Sequence, residues 1–311
     1  MIQVIGKQGI SAKVIQHSKS IYTDKELITF EIEFPRFILA ELNTHCMLEK
    51  NSSSSRAVPI KTQCKLIEEN PAMPVHWGMN QSGMVAEQEL DELRIEAAKG
   101  VWIAAMKSAI SHVLVLDQTS VHKQLANRVA EPWQRMKTVI SGTELENFFY
   151  LRDHPSAQPE FAELAKVMLE AKKNSKPMYI ANNEWHVPYV DRERINDELK
   201  YFSCGQELTV EQALMVSASC AAQTSYRKSD ESLEKAKQVF ERLNIGNPNE
   251  PAHASPTTHQ GTPIDYDHLY EDMTDTWPAG VSHMTRDKRL WSGKFQDFIQ
   301  YRKLIPNEAK W

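Results

Sequence analysis

Ile28, Phe30, Ile32 and Phe34 alternate with Thr29, Glu31 and Glu33, and no other stretch of the 311-residue chain constrains its fold as tightly. The period of two predicts a strand with one buried and one solvated face. Pro35 stops that strand and suits the first position of a following helix, FILAELNTH. What comes next, Asn43 to Ile60 or NTHCMLEKNSSSSRAVPI, combines a histidine, a cysteine, four consecutive serines and an arginine. Serine hydroxyls and successive backbone N–H groups can wrap an anion, and a guanidinium can grip it with two bonds. An isolated serine run would read as a solvated spacer. Here the strand and helix just upstream make it a positioned loop.

Hydrophobic residues at 41% and charged residues at 25% are ordinary for a globular protein, and a net charge of -5 argues against a nucleic-acid surface. The first residues, MIQVIGKQGISAKVI, lack a basic segment followed by an apolar run, and no apolar stretch is read as approaching the roughly 18 residues of a membrane span. A cytoplasmic protein with no membrane partner is expected. Cys46, Cys64, Cys204 and Cys220 show no CxxC spacing, and the histidines form no HExxH, so neither a metal site nor a disulfide framework is indicated.

In chain order, residues 1–34 read as strands and turns, and 61–86, with NPAMPVHWGMNQSGM, as a long ordered loop or lid whose tryptophan and methionines pack. Leu90, Leu93, Ala97, Val101, Ala104, Ala105 and Ala109 recur at helical spacing and predict the longest helix, from Glu87 to about Asp117. Further helices are expected in SVHKQLANRVAEP, ending at Pro132, in TELENFFYLR, in QPEFAELAKVMLEAKK, after the TVEQ capping box at Thr209, and in SLEKAKQVFERL. NEWHVPYV reads as a strand or edge loop. No repeat or sharp compositional shift divides the chain, so one domain over 1–311 is expected.

Taken together, these segments resemble the flavin-dependent thymidylate synthase family, in a form like those of bacteriophages. Its hallmark, RHRxxSxNExSxR, is matched by His45, Asn51, Ser54 and Arg56, with Thr44, Cys46, Glu49 and Ser52 as departures. NRVAEPWQRM and ENFFYLRDHPSAQPEFAELA are similar to a family segment, within a helical nucleotide-binding region over 119–173, and match it at Arg128, Asn147 and Arg152, with Ala157, Gln158 and Glu160 completing LR-x(4)-AQ-x-E. Ser156 departs from a family histidine four residues after Arg152; SASCAAQTSYR and HASPTTHQ, in 209–263, resemble SAARVSY and HxSPxEH, with Thr258 in place of the glutamate, and follow the hallmark here, where most members have them before it.

The resemblance implies an α+β fold, a mixed β-sheet wrapped by several long α-helices. It also implies reductive methylation of a pyrimidine deoxynucleoside monophosphate, dUMP to dTMP, with FAD, NADPH and methylenetetrahydrofolate, in a homotetramer with shared active sites. A phage-encoded enzyme would work in the bacterial host cytoplasm. Ser54, Ser55, Arg56 and Arg128 would meet the phosphate, Arg152 the pyrimidine, where it would stabilise negative charge, and His45, Asn51, Asn147 and His259 the flavin. Cys46 is either a small buried thiol or, beside His45, a nucleophile. Two alternatives stay open: methylation or hydroxymethylation of dCMP (or hydroxymethylation of dUMP), with Glu49 facing the cytosine amine, and a nucleotide-binding homologue without catalysis.

Overall fold

The computed structural model of the chain describes residues 2–224, 229–247, 249–267 and 277–309. Its fold is α+β, with helices packed on a mixed sheet. Strands β1 (Ile2–Ile5), β2 (Ser11–Ser20), β3 (Glu26–Pro35), β4 (Glu49–Ser52) and β5 (Arg135–Gly142) lie in the order β1-β2-β3-β5-β4, all antiparallel. A sixth strand, β6 (Met178–Ile180), runs parallel to the far end of β2.

The predicted alternation is β3, at the centre. Ile28, Phe30, Ile32 and Phe34 are almost wholly buried against helices α1 (Leu39–Asn43), α5 (Glu146–Arg152) and α6 (Pro159–Asn174), where Phe148, Phe161, Leu164 and Met168 close the core. The opposite face is not simply solvated: Thr29 is fully buried. A second layer covers it, made of segment 183–190, helix α7 (Val210–Ala222) and the C-terminal strands. An alternating pattern cannot distinguish water from a polar-lined protein layer.

That layer contains β7 (Asp191–Ile195), β8 (Glu198–Ser203) and β9 (Gln206–Leu208) as one small sheet, and α7 begins with the expected capping box at Thr209. Helix α8 (Leu233–Arg242) packs on α7. Strands β10 (Gly261–Pro263) and β14 (Phe298–Gln300) pair, as do β11 (His283–Met284), β12 (Leu290–Ser292) and β13 (Phe295–Gln296). NEWHVPYV is not an edge: His186 bridges Gly261, and Gln16 of β2 receives the Val187 N–H and donates to the Val190 carbonyl at 3.1 Å. A Cβ at Gly261 would come within 2.9 Å of Leu27, so this close approach needs glycine.

Three local expectations need correction. The stretch 61–86 is not all loop, because Ile60, Cys64 and Ile67, at helical spacing, form the buried side of α2 (Ile60–Glu69). The longest helix, α3 (Glu92–Gln118), starts at its Asp91 cap and buries Met106, Ile110 and Val113 against α2 and Trp133, leaving Leu93 and Val101 exposed. It is also long and apolar enough to cross a membrane by length and composition, contrary to the expectation that no stretch approaches that size. Residues 120–132 form only a short helix, α4 (Lys123–Ala126), followed by a 3-10 turn over Asn127–Trp133 that carries Pro132, which has no N–H to give to an α-helix. Of SASCAAQTSYR, residues 225–227 lie outside the described residues.

Candidate functional site

The serine-rich stretch is anchored along its length. Lys50 reaches back to the Leu42 and His45 carbonyls at 3.0 and 2.7 Å, closing the C-terminal end of α1. Burial, with Lys294 nearby, pulls the Lys50 ammonium down to about 8. Ser52 bonds Thr138 at 2.8 Å, and the Ser53 N–H donates to the Lys137 carbonyl at 2.7 Å, so the run starts as strand β4 and its edge. Ser55 is buried, and its carbonyl and that of Val58 accept from the Asn127 amide at 2.8 and 3.0 Å. Arg56, next to Ser55, and Arg128, next to Asn127, are thus exposed on two tied segments, with Arg128 3.4 Å from Glu131. Ser54 accepts from the Arg56 N–H at 3.3 Å.

His45 and Arg152 meet directly. Arg152 Nε donates to His45 Nε2 at 2.8 Å, and its guanidinium lies 4.8 Å from the Phe161 ring centre. His45 stands edge-on to Phe148 and Phe161. Burial first, then the charges of Arg152 and Lys50, hold its imidazole down to about 4, so it is neutral with its proton on Nδ1. Arg152 makes no other hydrogen bond among the described residues, which leaves its terminal fork for a ligand. Next to Phe161 in the first turn of α6, Glu160 accepts from the Val75 N–H at 2.9 Å and holds the 70–90 loop against that helix.

The other expected residues make no side-chain hydrogen bond to that pair among the described residues, and Cys46 is its neighbour in the chain. Asn147 is exposed in the first turn of α5. Asn51 donates to the Ala221 carbonyl of α7 at 3.3 Å. His259 is fully buried, its Nδ1 2.8 Å from Ser141 Oγ and its Nε2 without a partner among the described residues. Cys46 is exposed, its thiol 3.6 Å from the Thr44 carbonyl, which overturns the buried-thiol reading. Glu49 is buried and engaged: Gln300 donates to one carboxylate oxygen at 3.1 Å and Lys294 lies 3.4 Å from the other.

Sequence reasoning missed Lys50, Lys294 and Gln300. Lys50 stood inside the quoted motif, whereas the other two arrive from the C-terminal strands about 250 residues later, with no local signal.

A family model described as thymidylate synthase complementing protein matches residues 7–178. The chain belongs to that family. The match spans strands β2 to β5 of the central sheet, the serine-rich loop, α5 and α6, and so includes His45 and Arg152. Among solved structures, a UMP/dUMP methylase PolB from Streptomyces cacaoi bound with 5-Br UMP is similar at 14% identity, over 52% of this chain and 88% of that one, with a TM-score of 0.45, too loose a likeness to carry a functional reading. A search of curated proteins finds no match.

Proposed function

We propose that this member of the family adds a one-carbon unit at C5 of a pyrimidine deoxynucleoside monophosphate, by flavin-dependent reductive methylation of dUMP to dTMP with methylenetetrahydrofolate and NADPH. The observation that carries the reading is the Arg152–His45 pair. A neutral histidine fixes one edge of the guanidinium and an aromatic ring backs its plane, so the remaining fork is preorganised for a ring carbonyl. Arg152 stabilises negative charge as the pyrimidine is activated. Ser54, Ser55, Arg56 and Arg128 take the phosphate from two segments that Asn127 joins.

FAD, when bound, would supply the hydride. The chain's residues fit such a ring: His45 is neutral, Asn147 is exposed, Asn51 reaches from β4 to the Ala221 carbonyl of α7, and the unpartnered Nε2 of His259 calls for a partner. Lys50 and Lys294 bring positive charge back near positions where Thr44 and Cys46 replace arginines. Segments 43–60, 119–173 and 209–263 then act as one unit over 1–311, the first bonded to the second through Asn127 and to the third through Asn51. The exposed apolar residues Leu93, Val101 and Val115 of α3 favour self-association, and a homotetramer is the form proposed; a monomeric mass by light scattering rules it out.

The test is an absorbance spectrum with and without FAD, turnover with dUMP or dCMP, and titration calorimetry. Arg152→Lys weakens dUMP binding about 10- to 100-fold, the worth of a charged hydrogen bond, while the circular dichroism stays unchanged. Equal binding by the variant overturns the role of Arg152. Tighter binding of dCMP overturns the uracil reading, which the engagement of Glu49 by Gln300 and Lys294 already favours over cytosine.

A second reading rests on the exposed thiol. Cys46 as nucleophile needs a base, and His45 is unsuited because its one lone pair is already used by Arg152. Lys50, lowered to about 8 and electrostatically coupled to Cys46, is the better partner. Cys46→Ser then abolishes turnover and spares dUMP binding; undiminished turnover removes the idea.

A further inference from the structure

Five hydrogen bonds, four of them fully buried, run in series from Arg192 of β7 through residues of β2, β3 and β5 to His259. Arg192 Nη1 donates to Ser18 Oγ at 2.9 Å, and Ser18 Oγ lies 2.8 Å from His186 Nδ1. His186 Nε2 lies 2.8 Å from Thr29 Oγ1, Thr29 Oγ1 2.6 Å from Ser141 Oγ, and Ser141 Oγ 2.8 Å from His259 Nδ1. Ser18, His186, Thr29 and His259 are 0% exposed and Ser141 1%, so among the described residues each proton must be accounted for within the series.

Only one end has a fixed direction, because a guanidinium can donate but never accept. Ser18 therefore accepts from Arg192, and its single hydrogen finds an acceptor only in His186 Nδ1. A neutral His186 then carries its proton on Nε2 and gives it to Thr29, Thr29 gives its own to Ser141, and Ser141 gives its own to His259 Nδ1. The opposite arrangement strands the Ser18 hydroxyl hydrogen and still leaves His259 Nε2 unpartnered, so it has one more unsatisfied buried group and is the less stable of the two. Burial holds both imidazoles well below the ordinary value, which keeps them neutral, as the directed series requires.

From this geometry we infer that Arg192 is a positioning residue: acting through Ser18, His186, Thr29 and Ser141, it fixes His259 as the Nε2–H tautomer. His259 thereby presents a permanent donor with no protein acceptor among the described residues, and its ligand chemistry is an acceptor atom, a carbonyl oxygen or an unprotonated ring nitrogen. The tautomer stands on the hydrogen bonds alone. The choice of acceptor rests on the proposed function, in which a flavin or pyrimidine ring supplies such atoms. Arg192 and His186 both lie beyond the segment matched by the family model.

The experiment is long-range proton–nitrogen correlation spectroscopy on histidine-labelled full-length protein. In the unaltered chain, His186 and His259 each show a protonated Nε2 and a bare Nδ1. Arg192→Leu and, in case that variant folds poorly, Thr29→Val each move His259 to the Nδ1–H form or to a mixture. Arg192→Lys, which still donates to Ser18, restores the single tautomer, an outcome that a purely structural role would not produce. A His259 already protonated on Nδ1, or one unmoved by both Arg192→Leu and Thr29→Val, overturns the inference. Addition of FAD and dUMP shifts the Nε2 proton; if it does not, while the variants still switch the tautomer, the relay stands and the assignment of ring ligands falls.

Discussion

On one side of strand β3, Phe30, Ile32 and Phe34 meet α6 through apolar packing; on the other, Thr29 meets His186 and Ser141 through short hydrogen bonds. The first contact is nondirectional, and many side chains of similar volume would satisfy it. The second works in one register only. Gln16, Thr29, Ser141 and Glu49 form a row across β2, β3, β5 and β4, and each holds a different part of the second layer: segment 187–190, His186, His259 and Gln300. The apolar face supplies most of the stability, while the polar row determines where the second layer sits. Half-satisfied polar networks are costly, so a displaced layer would be penalised at several points together.

That division is most directly broken at Phe30. Phe30→Ala empties a fully buried part of the apolar face and costs about 3–5 kcal/mol in urea or guanidinium unfolding. A loss below about 1 kcal/mol would mean that the core does not rest there. On the polar face the effect is smaller and has a different signature. Thr29→Val keeps the shape but strands the His186 N–H and removes the donor to Ser141, at about 1–3 kcal/mol. Adding Ser141→Ala to Thr29→Val should cost less than the sum of the two single changes, because the row acts as a unit. Strict additivity would reduce the row to independent bonds.

How far the sequence reveals this design depends on which face is concerned. The alternation from Ile28 to Phe34 gave the central strand and its apolar side, and the LR-x(4)-AQ-x-E pattern led to Arg152 and α6. Thr29 was readable only as a solvated position, since its partners His186 and Ser141 lie more than 100 residues away. In α3 the alanines on its exposed side match the helical period as well as Met106 and Ile110 do, so periodicity alone does not say which stripe is buried. His45 is legible from the hallmark, but its pairing with Arg152 depends on how α5 meets the turn after α1. Lys294 and Gln300 reach Glu49 through tertiary structure alone.

Each side also conceals a neutral histidine, and pH separates them. His45, among Phe148 and Phe161, is held down to about 4, and His259, in the polar row, to about 3, both below the ordinary imidazole value near 6.5. Once the chain unfolds, both rings accept protons near that ordinary value. Between about pH 6.5 and pH 4 the unfolded state therefore binds more protons than the folded one, and stability falls as the pH is lowered. Carboxylates titrate in part of the same window, so the comparison has to be made between variants. His45→Gln removes one proton's worth of the slope between about pH 6 and pH 4, seen as a shallower decline of the urea midpoint on acidification. The slope due to His259 and to His186, whose buried imidazole is also held well below the ordinary value, remains and extends to about pH 3 or lower. If His45→Gln leaves the decline unchanged, His45 titrates in the folded chain as it does unfolded, and the Arg152–His45 bond, which requires a bare Nε2, does not persist in solution.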